Sequence, residues 1–187
     1  MPLFPTLETP RLKLRELTVE DAPAVLCIHG DAEAMRYFGT DPLQELSEAQ
    51  KLIEKFSSWR TAANPGVRWG LEEKAAGTLV GTCGLFAWNR EWRKCSTVFE
   101  LNAQARGKGL MQEALCAALS WGFAEMQLNR IEAQIHPQNQ PSLKLVERIG
   151  FRREGLLREV ARWGEEFHDL LQLSLLRKEW SVRRGET

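Results

Sequence analysis

The chain has 187 residues, enough to bury one core of ordinary size; 43% are hydrophobic and 27% charged, as in globular proteins. Its 25 Lys and Arg balance 25 Asp and Glu, so a formal net charge of zero leaves no strong global field to gather nucleic acid or an anionic membrane. The short basic runs Arg152-Arg153 and Arg183-Arg184 read as solvated surface. Cys27, Cys83, Cys95 and Cys116 show no C-x-x-C spacing, and His29, His136 and His168 stand apart from them, so no metal site is expected. With no signal peptide and no spanning segment to read, four scattered thiols place the protein in a reducing cytoplasm.

No repeat, low-complexity segment or linker divides the chain, and 1–187 is read as a single domain. Leu12 and Leu14 alternate with Lys13 and Arg15, a strand. Thr18-x-x-Asp21 opens a helix reaching about His29, and Ser47-x-x-Gln50 opens another with an apolar stripe of Ala49, Leu52, Ile53, Phe56 and Ala63, ended by Asn64-Pro65-Gly66. Strands are expected from Val67 to Glu72 and Thr78 to Trp88 around the turn Lys74–Gly77, and from Ser96 to Leu101. Leu110, Ala114, Leu115, Ala118, Leu119 and Phe123 recur at helical spacing in a helix reading on to Met126. Arg130–Ile135 alternates as a strand, Leu143–Ile149 is a short helix closed by Gly150-Phe151, and strands Gly155–Val160 and Phe167–Leu176 flank the turn Trp163–Glu166. Hairpins in the middle followed by helical crossovers predict a mixed α/β sheet and not a doubly wound one.

The most informative stretch is Arg106-Gly107-Lys108-Gly109-Leu110-Met111, between a β-rich run and a long helix. Glycines let backbone approach a ligand, and the opening amides of a helix lack internal partners and sit at the positive end of its dipole. That is an anion site, read here as a pyrophosphate cradle, although an ordinary glycine turn uses the same residues. The stretch is neither G-x-x-x-x-G-K-[ST] nor G-x-G-x-x-G, since Gln112 stands where a third glycine would be.

The succession of strand, glycine loop, long helix, strand, Asn139-x-x-Ser142, short helix and Gly150-Phe151 resembles the GNAT family of acyl-CoA N-acyltransferases. More closely, it resembles the branch containing the ribosomal-protein N-terminal (alanine/serine) acetyltransferases. Leu7–Arg15 is similar to that branch's first strand and Ser174–Trp180 to its last. The phosphate pattern R/Q-x-x-G-x-G/A fits as Gln104/Gly107/Gly109 or as Arg106/Gly109/Met111; the second register keeps the usual distance from the preceding strand but puts Met where Gly or Ala is usual. The resemblance implies a mostly antiparallel sheet splayed between the family's fourth and fifth strands, flanked by helices. It also implies acetyl-CoA as cosubstrate, held by Phe99, Glu100, Leu101, Arg106, Gly107, Lys108, Gly109, Leu110, Met111, Asn139 and Ser142.

Moving an acetyl group from a thioester to an amine needs a neutral amine, a stabilised oxyanion and a thiolate that can leave. Direct attack in a ternary complex requires no covalent enzyme intermediate, consistent with the lack of a G-x-S-x-G elbow. Many GNAT members carry a tyrosine seven residues after the asparagine; here that position is Val146, and the only tyrosine is Tyr37. The resemblance therefore points to Ser142 as the group serving the leaving sulfur, with a helix cap as its other reading. Asn139 likewise reads as a pantetheine ligand or as a cap. Glu100 is the candidate base: its neighbours Phe99 and Leu101 could raise its pKa, although the same residue reads as a buried carboxylate paired with an arginine, or as an acceptor-site anion that orients a cation. Gln134 cannot accept a proton, and His136 is the second choice of base. Trp69, Trp88, Trp92 and Tyr37 are candidates for an aromatic acceptor wall and suit core packing as readily, while Trp163 and Trp180 read as core or dimer contacts.

The resulting expectation is an N-acetyltransferase acting on a primary amine, either a protein N-terminus or a small molecule, without nucleic acid, membrane or metal, as a monomer or homodimer. The alternative is a catalytically weak acyl-CoA-binding regulatory module.

Overall fold

The computed structural model describes residues 3–184, with backbone alone at 182–184, so the side chains of Arg183-Arg184 lie outside it. The chain begins with a pair of short strands, β1 (Leu7–Glu8) and β2 (Leu12–Arg15), folded against each other about Thr9-Pro10-Arg11. The run expected as one strand is thus broken at Pro10, which fixes φ and has no N–H for a ladder. Helix α1 (Ala22–His29) follows a single 3-10 turn in which Thr18 N donates to Asp21 Oδ2 at 2.8 Å, the capping box read from the sequence. A further helix, α2 (Ala32–Met35), is capped by Asp31 and was not legible in four residues. The amphipathic helix α3 (Leu46–Ser58) starts earlier than expected: Glu45 and Glu48 form its capping box, in place of Ser47 and Gln50. Ala49, Ile53 and Phe56 are buried, but Ala63 lies past its end in the loop.

Strands β3 (Val67–Glu73), β4 (Thr78–Asn89) and β5 (Lys94–Leu101) form the antiparallel centre. Helix α4 (Leu110–Ala124) crosses back to β6 (Arg130–Ile135), α5 (Gln140–Ile149) leads to the long hairpin of β7 (Arg152–Trp163) and β8 (Glu166–Leu176), and α6 (Arg177–Arg184) is the last element described. The last strand stops at Leu176 and does not run to Trp180. Arg177 turns the chain by donating to the carbonyls of Leu128 and Phe123, and Glu179 takes the Leu176 N–H as a helix opens.

All eight strands among the described residues belong to one sheet in the order β1-β2-β3-β4-β5-β6-β8-β7, antiparallel except between β5 and β6. One core lies between the sheet and α4, with α5 and Trp180; a second packs α1 and α3 on the other side. Trp180 stacks on Phe123 and is a core residue. No described helix is long and apolar enough to cross a membrane.

The β5–β6 junction shapes everything that follows. Only Lys94↔Arg130, Cys95↔Ile131 and Ser96↔Glu132 are paired; past them β5 stays registered with β4 as far as Leu101, while β6 stays with β8 as far as Ile135. Each strand follows its own half of the sheet, and a gap opens between Thr97–Leu101 and Ala133–Ile135.

Candidate active site

The gap is a cleft. Thr97, Val98 and Phe99 of β5 line one wall, Ala133, Gln134 and Ile135 of β6 the other, Tyr37 and Phe38 cover it after α2, and Asn139, just before α5, and Ser142 in its first turn complete it. The cleft is open to one side, with a cavity volume of about 60 Å³.

At the end of β5 the chain enters the glycine loop. Asn102 Oδ1 accepts from Ala105 N at 2.8 Å, closing a 3-10 turn, and Gly107 and Gly109 then adopt φ of +75° before α4 begins at Leu110. Both values are left-handed, where a side chain is strained. Gly107 is open on all sides, with nothing within 4 Å of where a Cβ would stand. Gly109 supplies no side-chain cap, so the first amides of α4 have no cap partner and meet the positive end of the helix dipole. Leu110 and Met111 are buried, so they offer only backbone here. The methionine in the pattern's last position therefore points into the core and leaves the approach to the amides open.

Glu113 would repel an anion from that first turn, but its carboxylate is turned aside. It accepts from Thr9 Oγ1 at 2.6 Å, Arg11 N at 2.8 Å and Arg11 Nε at 2.7 Å. Arg11 Nη1 also donates to the Lys108 carbonyl at 2.9 Å, pinning the loop from the start of β2. Arg11 was missed by the sequence reading, since nothing local marks a contact spanning 102 residues. Arg106 curls back onto the Leu101 carbonyl at 3.1 and 3.2 Å and comes within 3.6 Å of Asp31, so its charge is partly committed. Lys108 is exposed, as is Arg106.

Glu100 sits elsewhere than its sequence neighbours imply. Phe99 and Leu101 pack on the α4 side, and strand alternation turns Glu100 to the opposite face, beneath α1 and α3. There it is 7% exposed, and both of its oxygens lie 2.5 Å from Arg68 Nη2; the Thr82 hydroxyl also donates to it. His29 Nε2 stands 3.2 Å away, close enough for an ion pair but not aligned as a hydrogen bond. Burial would raise the Glu100 pKa, but the Arg68 charge, aided by His29 and Thr82, overcomes it and holds the pKa at about 2. The expected upward shift is reversed, and the arginine-paired reading describes this carboxylate. At neutral pH it is a poor proton acceptor.

On α5, Asn139 Oδ1 accepts from Ser142 N at 3.2 Å and is the helix N-cap. Ser142 is therefore not the cap, and its hydroxyl has no hydrogen bond among the described residues. Val146, where a tyrosine is common, is 0% exposed and faces the core. His136 Nδ1 accepts from Gln138 N at 3.2 Å, and burial together with the nearby His168 lowers its pKa below the usual histidine range. The nitrogen committed to that backbone bond is not free to act as a base.

The aromatic wall divides. Trp69 is 0% exposed, donates to the Pro5 carbonyl and packs on Trp121. Trp88 and the 66% exposed Trp92 lie at the β4–β5 turn, the opposite end of β5 from the gap. Of the four candidates only Tyr37 lines the cleft, stacked on His136 at 4.7 Å between ring centroids. Trp163, at the tip of the β7–β8 hairpin, stacks on His168 and donates to the Arg36 carbonyl, holding the hairpin against the segment that carries Tyr37.

Comparison with known proteins agrees with this geometry. The sequence profile of the acetyltransferase (GNAT) domain matches residues 11–152. The chain belongs to the GNAT acetyltransferase family. An uncharacterized N-acetyltransferase, p20, of Bacillus licheniformis is 31% identical over 176 residues, 94% of this chain and 98% of the relative. YdaF of Bacillus subtilis, which carries ribosomal N-acetyltransferase in its name, is 32% identical over 104 residues, 56% of this chain and 57% of its own. The spermidine N-acetyltransferase of Vibrio cholerae, solved with CoA and spermine, superposes with a TM-score of 0.78 at 23% identity, over 92% of this chain and 99% of that one, a likeness of fold.

Proposed function

We propose that this GNAT protein transfers an acetyl group from acetyl-CoA to a primary amine, a polyamine-like small molecule or a protein N-terminus, within one ternary complex. The observation that carries this reading is the continuity of the β5–β6 gap with the left-handed Gly107–Gly109 loop and the uncapped first turn of α4. A long cosubstrate with an amide-bearing arm and a pyrophosphate fits both parts: backbone along Phe99–Leu101 that shares no rungs with β6 for the amides, and the loop amides with Lys108 for the phosphates. Asn139 caps α5 through its oxygen, leaving its amide nitrogen for the arm.

When bound, acetyl-CoA supplies an activated acyl group. The chain's own residues do the rest. Strand β5 orients the arm; Phe38, Val98 and Phe99 give the cleft apolar walls; and the Ser142 hydroxyl offers a hydrogen bond to the sulfur at the α5 end. Glu100 acts by position: pinned to Arg68, it fastens β5 beneath α1 and α3. The amine's proton passes to solvent. The free thiols, with Cys83 and Cys95 buried, suit a reducing cytoplasm.

The commitment of Glu100 to Arg68 and the absence of a phenol at position 146 favour one competing reading, an acyl-CoA-binding module of low turnover. Calorimetry with CoA combined with thiol release over a panel of polyamines, amino acids, and peptides carrying ribosomal-protein N-termini separates the two. The proposal expects micromolar-range binding and turnover with at least one amine. Binding without turnover establishes the module, and no binding refutes both.

A further inference from the structure

We propose that Tyr37, the chain's only tyrosine, donates the proton that the departing thiolate takes up, from a part of the fold where no sequence pattern places an acid. The inference rests on the acetyl-transfer reading and deepens it. Three side-chain hydroxyls line the cleft: Thr97, Ser142 and Tyr37. Thr97 donates to the Gly84 carbonyl at 3.1 Å across the β4–β5 ladder, so its proton is committed. Ser142 is free, but an alkyl hydroxyl is a far weaker acid than a thiol; it can hydrogen-bond to sulfur without giving up its proton. A phenol differs: phenols and thiols ionise within about two units of one another, near ~10 and ~8.5, the matching that general-acid catalysis needs.

The phenol is also held in place. Its ring stacks on His136 at 4.7 Å, at 20° between the planes, and Trp163 anchors the preceding residue through the Arg36 carbonyl. Its hydroxyl donates only to Gln138 Oε1, at a long 3.3 Å and on an exposed side chain, a partner readily exchanged. As the carbon–sulfur bond breaks, its electron pair goes to sulfur, the Tyr37 Oη–H bond breaks and an S–H bond forms. The phenolate then recovers a proton from solvent, which has received the one lost by the amine. The net change is amine plus thioester to amide plus thiol.

One property of the composition makes the test clean. Because Tyr37 is the single tyrosine, growth on 3-fluorotyrosine labels that position alone and makes its phenol more acidic. The expected results are a shift of the sole fluorine resonance on addition of acetyl-CoA and movement of the alkaline limb of the rate profile to lower pH. Tyr37→Phe should bind CoA within about twofold of the parent, keep its melting temperature, and lose roughly a hundredfold in single-turnover rate. A fluorine signal indifferent to acetyl-CoA, or a Tyr37→Phe protein with near-parental rate, overturns the assignment and leaves acetyl transfer standing. An unmodified protein that consumes no acetyl-CoA with any amine overturns both.

Discussion

Arg68 Nη2 contacts both carboxylate oxygens of Glu100 at 2.5 Å, across the intervening strand, with Thr82 between them: Arg68 Nε donates to Thr82 Oγ1 at 2.8 Å, and Thr82 donates to Glu100. Three neighbouring strands, β3, β4 and β5, each give one residue to this chain, and Phe56 of α3 covers it with its ring 4.7 Å from the guanidinium. The charge of Glu100 is thereby spent on building the site.

Glu100→Gln should accordingly destabilise the protein, by about 3–5 kcal/mol, because a buried Arg68 loses its counter-charge. The folded pKa of about 2 lies below the ordinary 4.5, so the stabilisation from ionised Glu100 is fully present above about 4.5 and is lost as pH falls through 2. Melting curves from pH 7 to 2.5 should show the parent losing stability in that window and the variant, already weaker, losing less. Where the variant is folded, its rate profile between pH 6 and 9 should keep the parental shape. A stable Glu100→Gln protein whose profile shifts alkaline would instead restore Glu100 as a base.

Gly109→Val puts a β-branched residue at φ +75°, a strained conformation costing on the order of 1–3 kcal/mol, and narrows the approach to the α4 amides. CoA affinity should fall at least tenfold by calorimetry while circular dichroism stays native. Unchanged affinity in a folded variant would remove the loop from the binding site.

Ser142 and Asn139 should separate chemistry from capping. Asn139→Ala removes the α5 cap and should cost about 1 kcal/mol, lowering the melting temperature by roughly 2–4 °C. Ser142→Ala should leave the melting temperature within about a degree and lower kcat more than it raises KM for acetyl-CoA. The reverse pattern, a thermal loss at Ser142 with normal turnover, would assign it a structural part.

Arg11→Ala releases the Lys108 carbonyl and Glu113 Oε2, while Thr9 Oγ1 and the backbone N–H at position 11 still hold Glu113 Oε1 in the first turn of α4. Because Arg11 is half exposed, its ion pair is worth under about 1 kcal/mol, so the effect should be up to about fivefold in CoA affinity, with kcat at saturation unchanged. A loss larger than this, or one confined to kcat, would give Arg11 a role beyond holding the loop.

Periodicity carried most of the fold: the apolar face of α4 and the alternation in β6 are one-dimensional patterns that packing preserves. The glycine loop was legible for the same reason, since left-handed turns select their residues locally. The upward pKa shift expected of Glu100 is reversed because flanking residues on a strand face away from it; the residues that set its charge, Arg68, Thr82 and His29, come from elements brought together only by the sheet. Arg11 and Trp163 act across similar separations, and no local spacing announces them. Trp69 and Trp92 carry the same side chain to opposite fates, one sealed in the core and one at a hairpin tip, a difference that composition does not encode.

The three rungs between β5 and β6 have a consequence beyond catalysis. Among the described residues they are the only ladder joining a five-stranded leaf to a three-stranded one, and the edges of Thr97–Leu101 and Ala133–Ile135 that face each other beyond them share no rungs. An acyl carrier lying there would supply the bridge the polypeptide leaves out. Under saturation at about a hundred times its dissociation constant, such a guest adds roughly 2.7 kcal/mol to the folded state. The seam would then be the first place for backbone hydrogens to exchange when the guest is scarce, and resistance to proteases would follow the acyl-donor supply, making the lifetime of the chain a gauge of that pool.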